Sequence, residues 1–146
     1  MTGATTSRHI WNTADFEQMG WSLSRIYGWS LPGVDGIFTL WLDYVLESPL
    51  SKKNEKFLVA PARLFFDNVK NLKIQLDCGL SDVVDVVSLE RFNSRPTPNG
   101  ELIYMDYRLE LRSGLLSWTS TGFKQVLQDA PIWSDRMDLN READFL

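Results

Sequence analysis

Residues 103–112 alternate without a fault. Ile103, Met105, Tyr107, Leu109 and Leu111 fall on one side, and Tyr104, Asp106, Arg108, Glu110 and Arg112 fall on the other. A period of two puts every second side chain on the same face of a strand, so the segment reads as a half-buried strand with a solvated row of alternating charge outside. Such a strand needs partners beside it and a second apolar surface over its buried row. Ser113-Gly114 turns the chain into LLSWTS (115–120), which predicts a hairpin.

Other segments repeat the pattern. Trp21, Leu23, Arg25, Tyr27, Trp29 and Leu31 occupy alternate positions and predict a strand broken by Pro32-Gly33. GIFTLWLDYVLE (36–47) is apolar on both alternations and reads as a central strand covered on both faces, paired to its predecessor through the loop PGVDG. FLVAPARLFFDNVKNLKIQLD (57–77) reads as two strands around a turn at Asp67, Asn68, Lys70 and Asn71. Pro61 cannot donate to a ladder, so an edge, a bulge or a break is expected near residues 60–61. In SDVVDVVSLERF (81–92), four valines in five positions favour a strand over a helix. SPLSKKNEK (48–56) and NSRPTPNG (93–100) read as loops.

Two short helices are expected. Asn12 or Thr13 can cap one through Phe16 and Met19, with Asp15 and Glu17 in its first turn, ended by Gly20. FKQVLQ, after Thr121-Gly122, suggests another, ended before Pro131. Residues 1–8 and 134–146 read as loose tails. The fold class is therefore mainly β (α+β): one domain, an antiparallel β-sandwich or strongly bent sheet of about seven strands.

Charge and cysteine content exclude several chemistries. The net charge is −4 over 146 residues, which argues against a nucleic-acid partner, because phosphate binding needs clustered Lys and Arg. Cys78 is the lone cysteine, so neither an internal disulfide nor a cysteine-based zinc site can form. With no apolar run of signal-peptide or membrane-spanning length, a cytoplasmic protein without a membrane partner is expected. CxxC, HExxH, GxSxG and Gly-rich phosphate-loop patterns do not occur, and no cofactor or metal is expected.

Few residues stand out as site candidates. His9, the lone histidine, sits in the N-terminal segment, a poor frame for a general base. Asp43 interrupts an apolar run, and a buried carboxylate needs a partner, for which Arg63 is the first candidate and Arg25 the second. Of the six tryptophans, Trp21, Trp29 and Trp41 sit in core-like registers, which leaves Trp11, Trp118 and Trp133 as candidates for exposure. The candidate partner- or ligand-binding set is Asp43, Arg63, Arg25, Trp118, Phe123 and Trp133. The row Asp106, Arg108, Glu110, Arg112 invites a glycosidase comparison, but reads as a solvated face with cross-strand ion pairs.

Together, WSLSRIYGWSL, LWLDYVLE, FLVAPARLFFDNVKNLKI and SWTSTGFKQ followed by Pro131 resemble a family of small bacterial proteins of unknown function, over about residues 20 to 132. Its pattern has a Trp-His-Asp stretch, a Phe-Val-Ala-Pro-Ala stretch and a Gly-Phe-x-Gln stretch. Here Trp21 is followed by Ser22 and Leu23, so no role of that His-Asp pair carries over. Small acidic β-rich proteins of this look include immunity proteins of toxin systems, an analogy of fold and size. The expected function is a non-enzymatic protein-binding domain whose partner is a basic toxin or effector. The alternative is a small-ligand or carbohydrate-binding β-domain with weak carboxylate chemistry, and a homodimer through a sheet edge is compatible with either.

Overall fold

A computed structural model describes residues 8–47, 56–77 and 84–136. Among these residues ten strands form one open, strongly curved antiparallel sheet: β1 (Ile10–Asn12), β2 (Arg25–Ser30), β3 (Phe38–Glu47), β4 (Phe57–Asp67), β5 (Lys70–Leu76), β6 (Val84–Pro96), β7 (Ile103–Leu111), β8 (Gly114–Ser120), β9 (Gly122–Leu127) and β10 (Ile132–Ser134). Their order is β1-β9-β4-β3-β2-β6-β7-β8-β5, with β10 beside β4. The mainly β class and the bent sheet are as expected. The strand count exceeds seven because β1, β9 and β10 were not anticipated.

β2 and β6 share only the pairs Arg25 with Asp85 and Ile26 with Val84, and there the sheet bends into two leaves. The apolar alternations of both leaves meet between them. Phe66 of the first leaf packs on Tyr107 and Trp118 of the second at 4.9 and 4.8 Å between ring centroids. Leu40, Leu42, Ala60, Ala62, Leu64, Leu109, Leu111 and Leu116 complete the core.

The N-terminal helix forms as a 3-10 helix, Thr13–Gln18. The Asn12 side chain accepts from the Ala14 N–H, and Asp15 accepts from the Asn12 N–H, which satisfies free donors of the first turn. The strand expected from Trp21 starts only at Arg25. Leu23 takes φ 75°, and the Ser24 N–H closes a turn on the Trp21 carbonyl at 3.0 Å.

Pro61 lies within a continuous β4, without a break. On one side it pairs with Asp43 of β3; on the other, β9 begins its pairing at Ala62 and β10 ends at Val59. The missing N–H therefore falls where β4 changes neighbours and no ladder acceptor waits for it, while the Pro61 carbonyl accepts from the Gln128 N–H at 2.7 Å. The local edge that the proline implied is this gap.

FKQVLQ is a strand rather than a helix. Phe123, Gln125 and Leu127 point inward and Lys124 and Val126 outward, with β1 on one side and β4 on the other. Its apolar spacing fits either period, and tertiary pairing decides. Part of the expected 93–100 loop is also strand, since β6 runs to Pro96 past a bulge at Asn93. The tail expected from 134 starts at the last residue of β10, and 137–146 lie outside the described residues, as do 48–55, Cys78 and 81–83. Among the described residues no helix is long and apolar enough to cross a membrane.

Candidate functional site

On the first leaf, the residues that alternate away from the core form a face of aromatic and cationic side chains. Trp41 of β3 and Arg63 of β4 are register partners, and Phe65 of β4 is paired with Lys124 of β9. The Arg63 guanidinium lies 5.5 Å from the Trp41 ring centroid and the Lys124 ammonium 5.9 Å from that of Phe65. Both cations are exposed and both rings half-buried. Such pairs contribute about 0.5–1 kcal/mol in water and about 2 kcal/mol once desolvated, so they gain strength when a partner covers them.

The same face continues to the β2–β3 hairpin. Leu31 and Val34 are exposed, and with Phe65 and Thr39 they line a shallow depression. At the other margin, exposed Ile10 pairs with Val126, which itself pairs with Arg63. Opposite Trp41 stands Gly28, which has no side chain to cover the indole.

Asp43 follows Trp41 on this face but is 0% exposed. Arg63 does not answer it: the register partner of Asp43 on β4 is Pro61, and Arg63 stands two residues along, over Trp41. The carboxylate accepts from the Tyr27 hydroxyl at 2.7 Å. Tyr27 is the bulged residue between Ile26 and Gly28, and the bulge aims its ring at Asp43. Arg25 is the register partner of Asp43 on β2, and its Nε donates to Asp85 at 3.0 Å. This network ties β2 to both β3 and β6 at the bend between the leaves. Its carboxylate is closed to a ligand.

The aromatic candidates fall differently. Trp118 is core rather than exposed, 2% accessible and stacked on Tyr107 at 5.8 Å. Phe123 is also core, 3% exposed and edge-on to Trp21 at 5.8 Å. Trp133 is half-buried in β10, opposite Leu58, and Trp11 is half-buried against the core. His9 is exposed, and its carbonyl accepts from the Leu127 N–H. The motifs behind the resemblance are structural as well: the Trp21 indole donates to buried Gln125 at 2.8 Å, and Ala60 and Ala62 are fully buried.

Titration behaviour follows surroundings. Burial raises the phenols of Tyr44 and Tyr107 above 10.0, opposed by the Gly20 N–H at Tyr44 and by Arg91 near Tyr107. On the second leaf, Asp106 is held below its ordinary 3.8, first by the Thr119 hydroxyl, then by Asn93 and Arg95. The pair Arg95–Asp106, at 3.0 Å, is an ion pair of the kind the charged row suggested, although its cation lies on β6. Among the described residues no group of three or more His, Cys, Asp or Glu side chains is placed to hold a metal.

Sequence reasoning passed over Phe65 and Lys124 and assigned Trp41 to packing. The available signal was the outward register shared by Trp41, Arg63 and Phe65. No family model matches the chain, and neither a curated protein nor a solved structure is significantly similar to it.

Proposed function

We propose that the chain is a non-enzymatic protein-binding domain of the immunity type, which covers a surface of a partner toxin. One observation carries the reading: the side-by-side pairs Trp41–Arg63 and Phe65–Lys124, next to exposed Leu31 and Val34. Interfaces draw most of their affinity from a few Trp, Tyr and Arg anchors that lose water on contact. A rigid sheet face holds such anchors at little entropic cost. The net charge of −4 acts at longer range and favours encounter with a basic partner.

The test is co-expression with each protein encoded by neighbouring genes, followed by purification at low salt. A stoichiometric complex that protects the host from its partner is expected, and Trp41→Ala with Arg63→Ala should abolish it. The absence of any complex, or a complex indifferent to both substitutions, would refute the reading.

A further inference from the structure

The outer face of the second leaf carries a groove of about 380 Å³, apart from the face just described. Two β-bulges build its walls. β6 slips register between Phe92 and Arg95, and β5 slips between Lys70 and Lys73. Within each slip is an asparagine in the left-handed region, Asn93 at φ 62° and Asn71 at φ 57°. A bulge bends its strand and re-aims side chains, and non-glycine residues at such φ persist only where their surroundings hold them. Because β6 and β5 flank β7 and β8, the two bulges face each other across a floor of Asp106, Ser117 and Thr119.

The groove's polar groups divide into those already committed and those that remain. Asp106 accepts from Thr119 at 2.7 Å, Asn93 at 2.9 Å and Arg95 at 3.0 Å, so its charge is already answered. Lys73 has no ion pair among the described residues, and neither the Asn71 amide nor the Ser117 hydroxyl has a hydrogen-bond partner there. The Phe92 ring on one wall is 50% exposed. What remains is one cation, two neutral polar groups that can both donate and accept, and one bare aromatic face.

We propose that this groove is a saccharide site selective for sugars that carry a carboxylate. The C–H face of a pyranose packs on Phe92, the carboxylate meets Lys73, and ring hydroxyls bond to Asn71 and Ser117. The volume lies within the usual range for small-ligand sites, about 300–1,000 Å³. An acidic peptide fits less well. Extended peptides are held largely through backbone hydrogen bonds, whereas β7 and β8, under the floor, spend theirs on ladders with neighbours on both sides.

The site is tested by calorimetric titration of the full chain with trigalacturonate, its methyl-esterified neutral form, and a glutamate-rich peptide. Trigalacturonate should bind in a salt-sensitive manner, with the neutral form at least about tenfold weaker, a difference of about 1.4 kcal/mol. Phe92→Ala and Lys73→Ala should each weaken binding by about tenfold or more with unchanged urea unfolding, while Trp41→Ala, which tests the protein-binding face, should bind as the parent does. No binding of trigalacturonate at millimolar concentration, affinity in either groove variant equal to the parent's, or tighter binding of the peptide would each overturn the proposal.

Discussion

Replacing Tyr27 with phenylalanine removes one oxygen and leaves the ring in place. That oxygen donates to Asp43 at 2.7 Å, and Asp43 is 0% exposed, so water cannot simply take over the bond. Hydrogen bonds to charged groups contribute about 1.5–3 kcal/mol, and with no cavity created the loss should fall in that range. With a urea slope of about 1–3 kcal/mol per molar, the midpoint should drop by roughly 1 M. Tryptophan fluorescence during urea unfolding measures this directly. The same substitution in an Asp43→Asn background should cost less, since a neutral acceptor brings the bond to about 0.5–1.5 kcal/mol. A loss below about 0.5 kcal/mol in the parent, or an identical loss in both backgrounds, would refute the view that Tyr27 anchors the buried Asp43 side chain.

Other substitutions probe the remaining assignments. Phe123→Ala should cost about 3–5 kcal/mol in urea unfolding if the ring is core, and Trp133→Ala distinctly less, because that ring is only half-buried. At Gly114 an added Cβ would meet the Gln75 carbonyl oxygen at 2.1 Å, so Gly114→Ala should destabilise the β5–β8 pairing by about 1–3 kcal/mol, read as a lower midpoint. Asp106 has a folded-state pKa below its unfolded value of 3.8; its contribution is therefore present above about pH 4 and lost as pH falls through the folded value. Asp106→Asn should flatten that part of the acid limb in a stability-versus-pH series.

The periodic segments were legible because they state their own geometry. In 103–111 the inward row delivers Tyr107, Leu109 and Leu111 to the core, as the alternation requires. Short elements were less legible. β9 has apolar residues at 123, 126 and 127, a spacing compatible with a helical stripe, and only the neighbours β1 and β4 choose the strand. Its inward Gln125 looks polar in sequence, yet it is buried because Trp21, more than a hundred residues earlier, supplies a donor. No local pattern encodes that pairing. Likewise, a similar apolar setting suggested Arg63 for Asp43, but register decides such pairs: it sets Pro61 and Arg25 opposite the carboxylate, and the hydroxyl of Tyr27, two residues along β2 from Arg25, donates to it.

β4 shows where function can be written in a chain like this. Its inward residues Ala60, Ala62, Leu64 and Phe66 are each at most 1% exposed, so substitutions there are limited by packing. Its outward residues Arg63 and Phe65 answer to no packing requirement of comparable strength, yet they carry an arginine and an aromatic ring where small polar residues would serve a bare surface. The same contrast holds on the second leaf, where exposed Phe92 sits beside a strained bulge instead of a plain strand. Phe65 is half-buried and Phe92 half-exposed, so each ring leaves apolar surface in water beside a cation or a polar groove. Such an arrangement suits a binding surface, because a large apolar group left in water releases its stabilisation when a partner or ligand covers it.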